Sequence, residues 1–451
     1  GSKVSICSSY SDYEEGYAVA GKINDMRMQN YDYADFAILY RTNAQSRILE
    51  EALRKKGIPY KIYGGLSFYQ RKEVKDVISY LRLIVNPHDE EAFKRVINYP
   101  ARGIGDTTLN KLVVAATDHN VSLWTVLNDP IGYALPVNNG TAKKLSDFRE
   151  LISGFIERNV KLSAEEIAAA VVKESGIVST LFQDRSVEGI SKQENLQELL
   201  KGIAEFCEIR REEGTEHVSL ADFLSEVSLL TDQDNDKEEQ ANKVTMMTVH
   251  AAKGLEFRNV FVVGLEEDLF PSAMSKDNPR AVEEERRLFY VAITRAEENC
   301  VLTHARSRYR NGQSTMCSRS RFLKDIDPKY IYTSADAVTT NGLLATRRSS
   351  VFQQPKAMEG EAYVSPVAQA VGRQARLTRM ETASLSSAPS SSSAPALSGL
   401  HVGAKVRHDR FGEGEVTAIE GEGGNAKATV SFAHFGQKQL LLKFARLTIV
   451  E

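Results

Sequence analysis

Stretches with the hydrophobic pattern of buried strands alternate along the chain with stretches that have the period of helices. The stretch Asp35–Tyr40, DFAILY, and the uninterrupted apolar run Val260–Val263 predict strands that are buried on both faces, as in a parallel sheet. The first run leads into a helical stretch that closes at Gly57, a residue type that commonly ends helices. With further strand-like stretches at Lys3–Cys7 and Ile58–Tyr63, the pattern is β-α-β. We therefore expect a parallel sheet with right-handed crossovers.

Helical periodicity replaces the strand pattern between residues 86 and 242. Amphipathic helices are predicted at Glu90–Tyr99, Thr107–Thr117, Thr141–Asn159, Ser163–Ser175 and Ser191–Glu213. Strand-like runs then return. The simplest topology is a discontinuous α/β domain, residues 3–85 plus 243–332, that carries an all-helical insertion at residues 86–242.

The last part of the chain divides into two segments of different composition. Residues 333–399 are dominated by Ala, Ser and Pro and cannot bury enough apolar surface to fold, so a disordered, flexible linker is predicted. Residues 400–451 show short alternating strands with glycine turns. This pattern predicts a small β-barrel.

Composition limits the class of protein. A chain of 451 residues with 42% apolar and 26% charged residues is typical of a globular protein with several domains. Its apolar runs are too short to span a membrane, and the N-terminal residues lack a signal-peptide pattern. Gly1-Ser2 is typical of a cleaved tag.

The four cysteines show no C-x-x-C spacing, so reduced thiols in a cytoplasmic protein are expected. The net charge of −3 means that any nucleic-acid contact must come from local patches.

A first polar cluster follows the predicted strand Val244–Val249. His250, Lys253, Gly254 and Glu256 lie between two apolar runs, at the expected carboxyl end of a strand. Open α/β sheets bind their ligands at this edge. A solvated loop between core strands is the alternative.

A second polar cluster is the helical run Glu283–Ala296, EEERRLFYVAITRA, which has acids in its first turn and Arg295 at its end. Arg287 within it is either a phosphate contact or a surface arginine. In the second interpretation it pairs with Glu283 or Glu284 at helical spacing.

A third polar cluster, YRTNAQSR, follows the strand Asp35–Tyr40 and contains Arg41, Thr42 and Asn43. Its side chains offer hydrogen-bond donors at a strand end. The alternative is a helix N-cap by Thr42 or Asn43 with solvated arginines.

A glycine hairpin, RGIGDT, opens a helix within the insertion. Its residues Gly103, Ile104, Gly105 and Thr107 are placed to present backbone N–H groups to a phosphate. Glycine turns before helices are common, so an ordinary helix start remains the alternative.

The strings TVHAAKGLEF and EEERRLFYVAITRA, with LFP at Leu269–Pro271 between them, resemble motifs V and VI of UvrD/PcrA-type superfamily 1 DNA helicases. The resemblance implies a RecA-like second motor domain of an enzyme that uses ATP and Mg²⁺. Such enzymes translocate 3′-to-5′ on single-stranded DNA and unwind duplexes in DNA repair, replication or transcription-coupled repair.

The resemblance also implies roles for single residues. Arg295 would be an arginine finger, and Glu256 would contact the ribose of ATP, near Gly254 and Arg287. On the DNA side, the roles fall to Arg41, Thr42, Asn43 and His250 for the single strand, and to Gly103, Ile104, Gly105 and Thr107 for the duplex junction.

A phosphate-binding loop of the form G-x-x-x-x-G-K-[ST] does not occur in these 451 residues. Glu266-Glu267-Asp268 follows an apolar strand in Walker B fashion, but it comes after motif V, so a solvated strand end is predicted. The resemblance therefore covers the second half of a helicase. We expect the first motor domain to carry the Mg²⁺ ligands, and we expect this chain alone not to hydrolyse ATP. A non-catalytic adaptor that binds DNA or RNA polymerase is the alternative function.

The C-terminal segment resembles the SH3/Tudor-like barrel of some UvrD/PcrA proteins, which implies RNA polymerase as a partner. Its basic residues are nearly balanced by acids, so tight phosphate binding is not expected. Each of Phe411, Phe432 and Phe435 is predicted to belong to the barrel core.

Overall fold

A computed structural model describes residues 2–235, 242–310, 313–333, 400–421 and 425–450. All of these residues belong to one unit. The linker predicted at 333–399 lies outside the described residues, apart from Thr333.

The α/β domain is built on an eight-stranded sheet in the order β3-β4-β2-β5-β6-β1-β8, with β7 paired to β6. Adjacent strands are parallel except for β6 and β7, so the predicted parallel sheet is confirmed. Because β3, β4 and β2 are neighbours, their carboxyl ends meet at one edge. The strands are β1 Val4–Ser11, β2 Phe36–Tyr40, β3 Tyr60–Ile62, β4 Val244–Thr248, β5 Phe257–Val262, β6 Ala296–Arg310, β7 Gln313–Met316 and β8 Ile331–Thr333.

The helices that follow the sheet strands and those of the insertion were largely predicted. The helices of the described residues are α1 Asp12–Arg27, α2 Ser46–Lys55, α3 Lys72–Val85, α4 Glu90–Val96, α5 Asp106–His119, α6 Leu123–Asn128, α7 Asn139–Asn159, α8 Ala164–Glu174, α9 Ile177–Gln183, α10 Val187–Glu212, α11 Leu220–Asn235 and α12 Pro279–Ile293. The sequence did not predict α6, α9 or α11. The first two are too short to show a helical period, and α11 ends in an acidic polar run. None of the helices within the described residues is long and apolar enough to cross a membrane.

Helix α3 connects the sheet to the insertion. Its residues Val77 and Leu81 are fully buried in the same apolar core as Phe93, Phe148 and Leu199 of the inserted helices. The two parts of the chain therefore share packing at this point, and a domain boundary near residue 85 remains a prediction.

Buried ion pairs join the insertion to the sheet. Arg47 on α2 contacts Glu198 at 2.7 Å and Glu205 at 2.6 Å, both on α10. Lys201 on α10 contacts Asp12 of α1 at 2.5 Å. Since unpaired buried charges are costly, these pairs fix the place of α10 against the α/β domain.

The prediction that Glu266–Asp268 is a solvated strand end is wrong for Glu266. Its side chain is fully buried, and it accepts hydrogen bonds from the guanidinium of Arg308 and from the Ala305 N–H at 2.6 Å. Glu267 forms a bidentate pair with Arg321. These acids therefore have structural partners on the sheet and beside it.

The C-terminal residues form a five-stranded antiparallel sheet in the order β12-β11-β10-β9-β13, which confirms the predicted SH3/Tudor-like fold. Phe432 lies in its core, as predicted. Phe435 is not a core residue, because its ring stacks on Tyr13 of α1 with centroids 5.4 Å apart. The strands are β9 Lys405–His408, β10 Gly412–Glu420, β11 Lys427–Phe432, β12 Gly436–Leu441 and β13 Leu447–Ile449.

A buried histidine on β6 makes stability depend on pH. Burial lowers the pKa of His304 to about 4, and its Nε2 has no hydrogen-bond partner among the described residues. The unfolded chain takes up this proton near pH 6.5, whereas the folded chain does so only near pH 4. His304 therefore lowers the free energy of unfolding as the pH falls through this window.

We predict that His304→Leu will reduce the loss of thermal stability between pH 7 and pH 4.5. Melting temperatures of the variant and the parent chain at several pH values measure the difference. The matched control is His217→Leu, which changes an exposed histidine. Equal pH slopes for the His304 variant and the parent would contradict the assignment.

Candidate functional site

Polar turns follow two neighbouring strands at the carboxyl edge of the sheet. The turn after β2 begins at Arg41, and the 3-10 turn Val249–Ala252 follows β4. Since β2 pairs with β4 through Tyr40 and Thr248, the two turns start side by side. The structure thus brings Arg41, Thr42 and Asn43 to the same edge as His250.

The turn after β2 is held by its own side chains. Thr42 caps the 3-10 turn Asn43–Gln45, and Gln45 Oε1 accepts hydrogen bonds from the N–H groups of Arg41 and Thr42, both at 2.9 Å. The N-cap interpretation is therefore correct for the backbone. The accompanying expectation of solvated arginines is wrong, since Arg47 is buried.

Arg41 reaches across to helix α12. Its guanidinium forms a bidentate pair with Glu285, with Nη2–Oε1 at 2.6 Å and Nε–Oε2 at 3.0 Å. The Glu285 side chain is buried, so this pair holds the strand-end turn against the helix. Glu285 was not singled out from the sequence, because the acids of EEERR give no local sign of which one faces the sheet.

The turn after β4 leaves its functional candidates accessible. The Thr248 hydroxyl accepts from the Ala251 N–H at 3.3 Å, and Gly254 has a φ of +87° with open space where a side chain would lie. His250 and Glu256 are exposed beside it. Partial burial lowers the pKa of the His250 ring, the charge of Arg41 lowers it further, and Glu285 opposes both.

Arg295 lies directly after α12, against this turn. Its Nη1 donates to the Leu255 carbonyl at 3.0 Å, and its Nε donates to the Val291 carbonyl at 3.1 Å. Its Nη2 donates to the Thr294 hydroxyl at 3.2 Å, and no carboxylate pairs with Arg295 within the part of the chain that the structure describes. The guanidinium is thus oriented by neutral acceptors, one of which is the carbonyl of Leu255, the residue before Glu256.

Arg287 has a different environment. Its side chain is 68% exposed and pairs with Glu284 at 2.7 Å on the same helix. This is the surface pairing that the sequence left open as one of two interpretations.

The glycine hairpin lies away from the sheet edge, at the start of α5. Gly103 has a φ of +70°, and Gly105 is the N-cap of the helix. Gly105 and Thr107 are exposed, but the Ile104 side chain is buried, so only its backbone can face a ligand. Arg102 is structural, since it donates to the Tyr99 carbonyl at 2.8 Å.

The pKa of His250 tests the cluster at the sheet edge. We predict that Arg41→Gln will raise this pKa, because a neighbouring positive charge is removed. Glu285→Gln is expected to lower it, because the opposing negative charge is removed. NMR titration of the ring Hε1 resonance, assigned with His250→Gln, measures both shifts. Shifts of the same sign, or no shift in either variant, would contradict the arrangement.

Two family models match the chain. The model described as the UvrD-like helicase C-terminal domain matches residues 1–307, and the model described as the PcrA/UvrD tudor domain matches residues 402–448. DNA helicase II of Escherichia coli (strain K12) is 34% identical over 450 residues, which are 100% of this chain and 56% of that protein.

Two relatives from staphylococci show a similar sequence identity and a similar coverage. The ATP-dependent DNA helicase PcrA of Staphylococcus epidermidis (strain ATCC 35984) is 35% identical over 454 residues, and that of Staphylococcus aureus (strain NCTC 8325) is 36% identical over 451 residues. In both cases the match covers 99% of this chain and 56% of the relative, so the chain spans little more than half the length of these proteins. The chain belongs to the UvrD/PcrA family of DNA helicases and corresponds to the C-terminal part of its members.

Proposed function

We propose that the protein acts as an ATP-dependent DNA helicase that moves 3′-to-5′ along single-stranded DNA and unwinds duplexes. This chain supplies the second motor domain, its insertion and the barrel. The observation that carries the proposal is the environment of Arg295, whose guanidinium is oriented by the Leu255 and Val291 carbonyls and lacks an acidic partner among the described residues. An uncompensated, positioned cation is what a transferring phosphoryl group requires.

The residues around Arg295 fit a nucleotide. Gly254 leaves open space at the turn, and the exposed carboxylate of Glu256 is a suitable acceptor for ribose hydroxyls. Bound ATP would supply the phosphoryl group, and Arg295 would stabilise the negative charge that develops on it. We assign the Mg²⁺ ligands and the phosphate-binding loop to the first motor domain.

Single-stranded DNA is proposed to lie along the turns after β2 and β4, on Thr42, Asn43 and His250. Arg41 and Glu285 connect these turns to α12, the helix that also carries Arg295. A rotation of this domain that changes the nucleotide contact must therefore also move the DNA contact.

The environment of Arg295 also weighs against the non-catalytic adaptor, because binding DNA or RNA polymerase does not require an oriented guanidinium that lacks an acidic partner among the described residues. RNA polymerase remains a proposed partner of the barrel, supported by the family resemblance of residues 402–448. A role in DNA repair is proposed on the same ground.

We predict that Arg295→Ala in the full-length protein will lower kcat for ATP by at least roughly a hundredfold, because the positive charge at the phosphoryl group is lost. Single-turnover hydrolysis measures the effect, and the affinity for single-stranded DNA should change little. The matched control is Arg287→Ala, which removes an arginine that already pairs with Glu284. Similar rates for the Arg295 variant and the parent would reject the finger role.

We also predict that Gly105→Val will weaken binding to a duplex–single-strand junction by roughly tenfold, the value of one charge-assisted hydrogen bond. A side chain at this position meets no atom within 4 Å, so it would enter the open space in which the DNA is proposed to bind. Fluorescence anisotropy with junction and single-strand probes separates the two substrates.

The control for the hairpin is Gly154→Val, at another glycine of the insertion with open space around it. Gly103 is unsuitable, because its φ of +70° would strain any side chain. Equal losses on single strand and junction would mean that the hairpin does not read the junction.

A further inference from the structure

The barrel contacts the last turns of helix α10 through buried charged groups. Arg410 pairs with Glu208, and its Nη1 lies 3.6 Å from Glu212 Oε2. His408 Nε2 lies 3.0 Å from Glu212 Oε1. Arg410, His408 and Glu212 are all buried. The end of an inserted helix is thus covered by the C-terminal domain.

The contact between His408 and Glu212 has a defined direction. His408 Nδ1 accepts hydrogen bonds from the backbone N–H groups of Arg410 at 3.1 Å and Phe411 at 3.3 Å. In the neutral ring the proton is therefore on Nε2, which donates to Glu212. The end of β9 and the bend after it thus present the Nε2–H donor of His408 and the guanidinium of Arg410 to the acidic end of α10.

Aromatic rings connect the barrel to a second element, helix α1 of the α/β domain. The Phe435 ring lies 4.5 Å from Tyr17 and 5.4 Å from Tyr13, measured between centroids. Phe411 contacts Tyr13 at 6.2 Å, and the Ser11 hydroxyl donates to the Arg410 carbonyl at 2.6 Å. Apolar ring burial supplies the attraction here, while the charged pairs set the orientation.

These contacts bridge two parts of the chain. Arg47 and Lys201 hold the middle of α10 to the α/β domain, but the last turns of the helix extend beyond those ion pairs. The barrel contacts these last turns with His408 and Arg410 and contacts α1 with Phe411 and Phe435. We refer to His408, Arg410, Phe411 and Phe435 as the docking face.

We propose that the docking face is an intramolecular interaction surface that braces the inserted helices against the α/β domain. Its binding partner is the surface made by the acidic end of α10 and the tyrosines of α1. A brace of this kind limits the orientations of the insertion while the barrel is docked and releases them when the barrel leaves. It does not depend on the proposed helicase activity.

Distance measurements on the 451-residue chain test the brace. Spin labels on ketone-bearing amino acids at Met28 and Ile131, which are 85% and 92% exposed, report the position of the insertion relative to the α/β domain. A second pair at Met28 and Val402 reports whether the barrel is docked. Arg410→Glu and Phe435→Ala are each expected to broaden both distance distributions, because each removes a different part of the docking face.

Two further variants make the result specific. Glu208→Arg combined with Arg410→Glu should bring both distributions part of the way back toward those of the parent chain. The pair between positions 208 and 410 is rebuilt with reversed charges, whereas the contact with Glu212 is not. Lys443→Glu changes an exposed barrel residue outside the docking face and should leave both distributions unchanged. Hydrogen exchange of β10 and β11 verifies that the barrel stays folded. Phe435 lies between β11 and β12, so its replacement removes no residue of a strand. If the Arg410 variant unfolds the barrel, the Phe435 variant tests the docking face.

Two results would overturn the proposal. If the barrel leaves while the distance between Met28 and Ile131 keeps its distribution, the barrel does not brace the insertion. If both single variants leave the barrel docked, the docking face has been assigned to the wrong residues.

Discussion

The position of the middle of helix α10 on the sheet depends on one buried guanidinium. Arg47 is nearly inaccessible to solvent and contacts Glu198, Glu205 and Glu51, the last at 3.5 Å. Burial alone would lower the pKa of this guanidinium, but Glu205 and Glu198 raise it well above its ordinary value. Removing the arginine would leave acids from two helices facing each other in a buried space. The sequence of α2 therefore fixes how α10 sits on the sheet.

A second set of buried charges extends this arrangement through the α/β domain. Asp12 contacts both Lys201 of α10 and Arg308 of β6, the latter at 3.6 Å. Arg308 also binds Glu15 at 2.9 Å and the fully buried Glu266. The sheet, its first helix and the insertion thus meet at alternating charges, each of which is stable only while its partner from another element is in place.

Sequence patterns predicted the parts of this fold that are governed by local periodicity. Strand β2 was visible because all five of its residues are buried, and α10 because its apolar face repeats over many turns. Strand β6 was missed because its buried positions include His304 and Arg308, which do not look like core residues. The prediction that Glu266 is solvated was wrong for a related reason. Glu266 is a buried charged residue, and the arginine that pairs with it lies 42 residues away in the sequence. Long-range pairing of charges leaves no local signal.

The candidate site shows the same division between local pattern and spatial pairing. Both Arg287 and Arg295 are candidates within the same motif. The motif does not indicate which of the two guanidinium groups pairs with a carboxylate. Arg287 has an acid three residues before it on the exposed face of α12. Arg295 lies beyond the helix end, and its hydrogen-bond acceptors within the described part of the chain are carbonyl and hydroxyl oxygens. The same helix gives Glu285 to Arg41 at the strand-end turn. Phe289 and Ala292 anchor α12 in the core of the α/β domain, so the helix connects the two turns through a closely packed element.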